Sequence, residues 1–189
     1  MGAMPATQRM TADEYLALPY SEERRWVELV EGELIVDEPL PLHQAVKGEL
    51  EYALRSWSRD EPGRGDVWLP LDVRLDEWNV FGPDLLWYPE GAGPTRSGGR
   101  PSPLPALAIE IRSPSTWRYD IGAKKASYER AGLRELWLVD TAAGEVLIFR
   151  RSGPDAAAFD VALELELADT LTSPQLEGFE LPLAELFPE

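Results

Sequence analysis

The sequence predicts a single α/β or α+β domain, and three observations lead to this fold class. Short apolar runs with strand-like composition recur along the chain, and at least two longer segments carry apolar residues at helical spacing. Strands and helices mixed in this way are typical of a sheet covered by helices. The 189 residues contain no internal repeat and no candidate domain boundary, so we expect one domain over 11–189, preceded by a flexible segment at 1–10.

The elements of the N-terminal half follow from capping and periodicity. Thr11 and Glu14 form a capping-box pattern, which predicts a short helix over 12–18. WVELVEGELIVDE predicts a hairpin around Gly32, and the runs DVWLPLDVRL and PDLLWY predict strands. Between the hairpin and these strands, HQAVKGELEYALRSWSRD is predicted to form the first long helix. Its apolar residues recur at helical spacing: Val46, Leu50, Ala53, Leu54 and Trp57.

The second half begins with a long loop. Residues 89–105 hold four glycines and five prolines, and a loop of this length inside one domain is usually a functional flap or disordered. A strand over 106–112 follows, and then a helix over about 120–131 that ends at Gly132. ELWLVD and EVLIFR are predicted strands separated by TAAG, and a last short helix is expected near 183–186.

Composition limits the classes of site that the chain can build. The absence of cysteine excludes disulfides and thiolate metal sites and suits a reducing cytoplasm, where we expect the protein to lie. No run approaches the roughly 18 apolar residues of a membrane span, and the N-terminus has no signal-peptide pattern. With His43 as the single histidine, a metal site must consist mainly of carboxylates, which favours Mg²⁺, Mn²⁺ or Ca²⁺ over zinc.

Charge is distributed unevenly along the chain. The net charge of −16 opposes binding to nucleic acid when the chain is taken as a whole. The segment 96–134, however, has eight basic and three acidic residues, whereas 155–189 has nine acidic residues and no basic one. We therefore expect the basic segment, with Arg100, Arg118 and Lys125, to form a nucleic-acid-binding face beside the long loop.

A carboxylate within an apolar strand is the first candidate site residue. Strand alternation places Glu110 and Arg112 on one face of the strand and Leu107, Ile109 and Ile111 on the other. From this strand alone, a half-solvated edge with a Glu110–Arg112 ion pair is as good an interpretation as a functional carboxylate.

A second carboxylate, Asp84, follows Pro83 directly at the start of another apolar strand. Aspartate is common in turns and at the start of strands. Two carboxylates on neighbouring strands, however, form a typical oxygen-ligand site for Mg²⁺, which polarises a phosphodiester and lowers the pKa of an attacking water. The spacing of 26 residues between Asp84 and Glu110 is by itself a weak signal.

Longer motifs give this spacing a context. Pro83-Asp84 followed by Glu110-Ile111-Arg112 resembles the PD-(D/E)xK nuclease signature. From about residue 11 to the C-terminus the chain also resembles the Uma-two family, whose members are described as “putative” bacterial restriction endonucleases. The motifs that carry this resemblance are WVELVEGELIV, PLHQAV, LDVRL, GPDLLWY, IEIRSPST, YDIGAKKASYERAG, ELWLVD and LTSPQLEGFELPLAELF. The resemblance implies a restriction-endonuclease-like α/β fold, with a central mixed β-sheet flanked by helices, and metal-dependent hydrolysis of DNA phosphodiester bonds.

The resemblance also implies roles for single residues. Asp84 and Glu110 would hold Mg²⁺ or Mn²⁺ together with the carbonyl group of Ile111. Glu28 matches the family's early glutamate, either as a further acid near the metal or as a charged residue at a strand edge. The generic signature has lysine where this chain has Arg112, which is permanently protonated and can neutralise a phosphate but cannot act as a base.

The resemblance further implies a lysine displaced onto the following helix, in a pattern that Asp120, Lys124 and Tyr128 match on one helix face. Lys124 is therefore the predicted catalytic lysine, which orients water or stabilises charge on the phosphate, and Tyr128 is an additional site residue. Lys125 lies on a neighbouring helix face and is expected to pair with Glu129.

Two functions stay open from the sequence. The leading one is a metal-dependent endonuclease with DNA as its substrate. The other is a catalytically inactive nuclease-like scaffold that binds a protein or a nucleic acid, which the negative net charge and the lack of a readable DNA-recognition module favour. By analogy with the fold we expect a homodimer. His43 matches a family position but is predicted to be a structural residue at the start of its helix.

Overall fold

The computed structural model of the chain describes residues 9–19 and 26–187. Of the segment 1–10 that we expect to be flexible, residues 1–8 lie outside the described residues. The described helices are α1 (Ala12–Ala17), α2 (Pro41–Asp60), α3 (Trp117–Tyr119), α4 (Lys125–Ala131) and α5 (Leu183–Leu186). A π-helical turn, Asp120–Lys124, connects α3 to α4. The described strands are β1 (Val27–Val30), β2 (Glu33–Val36), β3 (Asp66–Trp68), β4 (Val73–Arg74), β5 (Val80–Phe81), β6 (Leu85–Tyr88), β7 (Leu107–Ile111), β8 (Glu135–Asp140), β9 (Glu145–Arg150), β10 (Val161–Leu165), β11 (Thr170–Leu171) and β12 (Leu181–Pro182).

The main sheet has the strand order β10-β9-β8-β7-β6-β3. β7 and β8 run parallel, and the other neighbouring strands of this sheet run antiparallel, so the sheet is mixed. A smaller sheet has the order β2-β1-β5-β4, and β11 pairs with β12. The mixed sheet and its flanking helices confirm the predicted α/β class.

Local sequence signals explain where several elements begin and end. The Thr11 hydroxyl accepts the N–H of Glu14 while the Glu14 carboxylate accepts the N–H of Thr11, so the predicted capping box is confirmed. Between β1 and β2, Glu31 and Gly32 have φ values of 51° and 82°, the positive pair of a tight hairpin turn. α4 ends at Gly132, which adopts the left-handed conformation that glycine tolerates best.

β7 lies between two apolar clusters, one on each face of the main sheet. On one face Ile109 packs with Leu50 of α2. On the opposite face Ala108 packs with Tyr128 of α4. The predicted alternation of this strand is therefore confirmed, and Glu110, two residues beyond Ala108, projects toward the α4 side.

One strand prediction needs correction, and one strand of the smaller sheet was not predicted. The prediction of DVWLPLDVRL as one strand is wrong, because the run is divided into β3, at the edge of the main sheet, and β4, in the smaller sheet. Pro70 lies between them and has no N–H to donate to a neighbouring strand, which favours a break at this point. β5 has no counterpart in the sequence prediction, since two residues are too few for a periodic signal. None of the described helices is long and apolar enough to cross a membrane.

Candidate active site

The register of the main sheet brings two of the predicted acidic residues together. β6 and β7 pair in antiparallel fashion with Leu85 opposite Ile109. Continued by one residue, this register places Asp84 opposite Glu110, where Cβ atoms in an antiparallel pair are roughly 4.5–5.5 Å apart. The two carboxylates therefore lie side by side at one end of neighbouring strands.

Three donors hold Asp84. Lys47 Nζ lies 2.9 Å from Oδ1, and His43 Nε2 lies 3.1 Å from Oδ2. Oδ2 also accepts the backbone N–H of Ile111 at 2.9 Å. Burial alone would raise the pKa of this carboxyl, but these donors, with His43 and Lys47 contributing most, lower it to about 2. Asp84 is therefore ionised, and Lys47 balances its charge.

Lys124 is the centre of a second charged group. Its ammonium lies 2.8 Å from Glu28, 2.8 Å from Glu110 and 3.0 Å from Asp120, and the residue is only 2% exposed. Burial would lower the pKa of Lys124, but the neighbouring carboxylates, led by Asp120, raise it well above its ordinary value. The lysine is therefore a permanent cation.

The pKa values of two acids around Lys124 are raised by burial. Burial raises the pKa of Glu110 well above its ordinary value; Lys124 opposes this rise and the neighbouring carboxylates add to it. Burial likewise raises the pKa of Asp120 to about 6, again against the effect of Lys124. Tyr128 donates a 2.6 Å hydrogen bond to Glu110, and burial and that carboxylate raise the pKa of its phenol. The group therefore holds more acid than its lysine can neutralise.

The π-helical turn determines where Lys124 lies. In this turn the N–H of Lys125 bonds to the carbonyl of Asp120, five residues earlier, which widens the helix. Asp120 and Lys124 are both buried, and Thr116 fixes the Asp120 carboxylate through a 3.0 Å hydrogen bond to Oδ2. Turns of this kind are frequent at functional sites.

Glu28 connects the smaller sheet to this group. It lies on β1, its Oε1 accepts the N–H of Gly82 at 2.7 Å, and its Oε2 contacts Lys124. Gly82 directly precedes Pro83 and Asp84. The Glu28 carboxylate therefore contacts both the segment that carries Asp84 and the turn that carries Lys124. At 9% exposure, Glu28 lies inside the site rather than at a solvated strand edge.

A cleft of about 820 Å³ opens over these residues, and the long loop 89–105 forms part of its wall. Its acidic lining residues are Glu28, Asp37, Glu51, Asp72, Asp84 and Glu110. Its basic lining residues are Lys47, Arg96, Arg100 and Lys124. When all are ionised, six acids and four bases leave an excess of two negative charges in the lining.

The basic residues predicted to bind nucleic acid are divided between this cleft and other surfaces. Arg100 lines the cleft, where it forms an ion pair with Asp72. Arg118 is exposed, donates a 2.7 Å hydrogen bond to Tyr119, and is not among the residues that line the cleft. The basic segment 96–134 is therefore not one continuous face.

Two ion pairs considered from the sequence are absent from the described part of the chain. Arg112 pairs with Asp140, which lies at the end of the neighbouring strand β8, at 2.8 Å, and this excludes the simple Glu110–Arg112 pair. The predicted pairing of Lys125 is wrong as well.

Lys125 lies over the ring of Phe149, 4.4 Å from its centroid, and among the described residues no ion pair joins it to Glu129. The Glu129 carboxylate instead accepts the backbone N–H of Phe159. Lys125 is also absent from the residues that line the cleft, so the structure separates it from Lys124, its neighbour in sequence.

Lys47 contacts Asp84 and lines the cleft, although the sequence prediction does not include it, and the prediction treats His43 as structural only. Both are buried and lie four residues apart on α2, on the helix face that also carries Val46 and Leu50. A lysine on the apolar face of an amphipathic helix was the signal available in the sequence.

The donor chemistry of the site fits a cation such as Mg²⁺. Mg²⁺ is usually held by one or two protein carboxylates, with waters and substrate oxygens completing its shell. Within the described residues, no three or more histidine or acidic side chains form a ready-made metal cluster. The contacts of Glu110 with Lys124 and Tyr128 both use Oε1, which leaves Oε2 for another partner, whereas both oxygens of Asp84 already accept donors.

Comparisons with known proteins identify the family and the fold of the chain. The model of the family Uma2, described as “Putative restriction endonuclease”, matches residues 12–184. A search of curated proteins found no match. Among solved structures, the chain is similar to a crystal structure of “a putative nuclease belonging to DUF820” from Anabaena variabilis ATCC 29413, with 20% sequence identity and a TM-score of 0.75 over 94% of this chain and 97% of that chain. At this identity the likeness establishes the fold, and the restriction-endonuclease-like class that the motifs imply is confirmed.

Proposed function

The chain belongs to the Uma2 (Uma-two) family, and on that premise we propose that it is a metal-dependent endonuclease that hydrolyses DNA phosphodiester bonds. One observation carries this proposal: Asp84 and Glu110 lie opposite each other on neighbouring strands, with a buried ammonium 2.8 Å from Glu110. Paired carboxylates beside a fixed cation, at the base of a cleft, are the parts that phosphodiester hydrolysis requires.

We assign Asp84, Glu110 and the carbonyl of Ile111 to Mg²⁺ or Mn²⁺. When bound there, the metal would polarise the phosphodiester and lower the pKa of an attacking water. The charge of the cleft supports this assignment, because its lining has two more acids than bases. One divalent cation would make the lining neutral before an anionic substrate enters.

Lys124 supplies a fixed positive charge beside the two carboxylates. Because Glu28 and Asp120 both contact its ammonium, Lys124 does not have to reorganise when negative charge develops on the phosphate. Glu28 and Asp120 are therefore positioning residues for Lys124. Arg112 has no role in this scheme, since its guanidinium contacts Asp140.

On the other side of the pair, His43 and Lys47 orient Asp84. His43 binds one carboxylate oxygen and Lys47 the other, so the ionised group is held with a defined direction. Lys47 also lines the cleft, where its charge can meet an incoming phosphate.

The test is a cleavage assay with supercoiled plasmid and single-stranded DNA in Mn²⁺, Mg²⁺ or EDTA. We expect cleavage in either metal and none in EDTA, and we expect Lys124→Met to slow cleavage by about 10²–10³-fold, the usual effect of removing one electrostatic group. Lys125→Met is the matched control, because it removes the adjacent lysine, which lies outside the cleft. Wild-type protein that cleaves neither substrate in either metal would contradict the proposal.

A nuclease-like scaffold that binds a partner without cleavage is the second candidate. The excess of acids in the cleft favours it, because without a metal this lining repels nucleic acid. If the chain is a scaffold, wild type and Lys124→Met should be equally inert toward DNA. If it is an endonuclease, their cleavage rates should differ by the large factor given above.

A further inference from the structure

We infer that the cleft receives a single strand of DNA rather than a duplex, with a base stacked on Trp68. This inference rests on the proposed function and adds the class of substrate. It follows from the depth of the candidate site, from the size of the cleft and from one aromatic side chain in its wall.

The candidate residues lie deep. Asp84, Glu110 and Lys124 are 9%, 4% and 2% exposed, and all three contribute to the lining of the cleft. A phosphodiester must enter the cleft to reach them. In a duplex the two strands are held together as a stiff, wide rod, whereas a single strand can bend one linkage inward, as enzymes that act on extruded nucleotides require.

The size of the cleft agrees with a narrow substrate. Its volume of about 820 Å³ falls within the roughly 300–1,000 Å³ of pockets that enclose small ligands. Pro94 and Arg100 from the long loop line the same cleft as Lys47 and Glu51 from α2. Both elements therefore wall the cleft, and its volume is that of a site for a group the size of a nucleotide.

Trp68, on β3, is partly buried and lines the cleft. The tryptophans of the core donate their indole N–H groups to oxygen acceptors: Trp57 at 3.0 Å, Trp87 at 2.8 Å and Trp137 at 2.8 Å. The indole N–H of Trp68 is buried and has no acceptor among the described residues. One part of the Trp68 side chain packs against the buried cluster of Val73, Leu86 and Tyr88. Because a buried indole N–H normally has a partner, that packing leaves the polar edge of the ring unexplained.

The surroundings of Trp68 suit a nucleotide chain. The next residue, Leu69, is 43% exposed and lines the cleft too, so two neighbouring apolar side chains contribute to this part of the cleft wall. Arg96 lines the same cleft, is exposed, and has no ion-pair partner among the described residues. Proteins that bind single strands combine an aromatic platform for the bases with basic side chains for the backbone.

The test uses the Glu110→Gln variant, to prevent cleavage, and fluorescence anisotropy in Mn²⁺. The probes are a short labelled DNA strand, its blunt duplex, and RNA of the same sequence. We expect the DNA strand to bind at least about 10-fold more tightly than the duplex. Trp68→Ala should weaken strand binding by about 5- to 150-fold, the range for loss of one base–aromatic stack.

Two further variants separate stacking from folding. Trp68→Phe keeps an aromatic face and should retain binding within a few-fold. Tyr52→Ala removes an aromatic side chain that is 72% exposed and lies outside the cleft, and it should bind as the parent does. Thermal unfolding of each variant verifies that the fold is intact.

The inference is overturned if the duplex binds as tightly as the single strand or more tightly, or if the Trp68→Ala variant binds the strand as tightly as its parent does. It is also overturned if RNA binds more tightly than DNA, or if no probe binds. Plasmid cleavage without preference for the single strand leaves the endonuclease proposal intact and removes only this inference. Preference for the single strand without cleavage by wild type supports this inference and removes the endonuclease proposal.

Discussion

Replacing Lys124 with methionine tests the buried charge group without relying on catalysis. Lys124→Met keeps much of the apolar stem but removes the ammonium that contacts three carboxylates. Removal of one partner from a buried ion pair costs about 3–5 kcal/mol, because the remaining charge stays buried and unpaired. Protonation of Glu110, whose pKa is already raised, relieves part of this cost. We therefore expect a loss of about 3–4 kcal/mol in the free energy of unfolding.

The loss is large enough to measure by thermal unfolding. In a chain of 189 residues, 1 kcal/mol corresponds to about 2–4 °C in Tm, so Lys124→Met should melt about 6–16 °C below wild type in EDTA. Circular dichroism at room temperature verifies that the variant is folded before it is heated. Mn²⁺ should recover part of the loss, since a divalent cation beside Glu110 replaces the missing positive charge.

Lys125→Met is the control for this measurement. It removes the neighbouring lysine, whose partly exposed ammonium lies over Phe149, and such a contact contributes about 0.5–1 kcal/mol. Its Tm should therefore fall by no more than about 4 °C. Equal Tm values for the two variants in EDTA, or a Lys124→Met variant as stable as wild type, would refute the reasoning about the buried group.

Three more predictions concern metal, nucleic acid and stability. Asp84→Ala should abolish the rise in Tm that Mn²⁺ produces in wild type, because it removes an assigned ligand, and an equal rise in both proteins would remove Asp84 from the site. In a salt titration, Arg96→Ala should weaken binding of DNA and lower the slope of log affinity against log salt by about 1, the effect of one lost phosphate contact. Arg118→Ala, which lies outside the cleft, should change neither the affinity nor the slope. Glu135→Gln should lower the free energy of unfolding in urea by about 1.5–3 kcal/mol, because it replaces a buried carboxylate that accepts hydrogen bonds from Ser173 and two other donors. An unchanged urea midpoint would contradict this, and the rise in Tm with Mn²⁺ should be the same as in wild type.

Elements governed by local physics could be predicted from the sequence. The capping box at Thr11 fixes the start of α1, and Gly132 fixes the end of α4, because each acts within a few residues. The alternation of β7 likewise identifies Glu110 as a carboxylate on the face opposite the α2 contact. The pairing of Asp84 with Glu110 required the resemblance to a family, since it depends on the register between two strands.

Contacts between residues distant in sequence could not be predicted in this way. Arg112 reaches Asp140 because β7 and β8 are parallel neighbours, which strand periodicity does not reveal. Lys125 and Glu129 both lie in α4, yet the Glu129 carboxylate accepts the N–H of Phe159 and Lys125 lies over Phe149. Both of these partners are distant in sequence, so helix spacing does not reveal them. The sequence prediction does not include Lys47, because a lysine in a helix is ordinarily solvated. Only the position of α2 over the site shows that Lys47 is buried.

The balance of buried charge separates a functional site from a structural one. Buried ion pairs are weak stabilisers, since well-packed apolar residues in their place are often neutral or more stable by about 1–4 kcal/mol. A fold that needed only stability would therefore gain little from four buried acids and two buried lysines: Glu28, Asp84, Glu110, Asp120, Lys47 and Lys124. These charges do not balance, and all of the group except Asp120 line an open cleft. A site that takes up a divalent cation first and an anionic phosphodiester afterwards needs an excess of acids in an open cleft and a fixed ammonium beside them. A scaffold has no such requirement, so a Mn²⁺-dependent gain in Tm together with cleavage that depends on Lys124 would favour the enzyme over the scaffold on physical grounds independent of family membership.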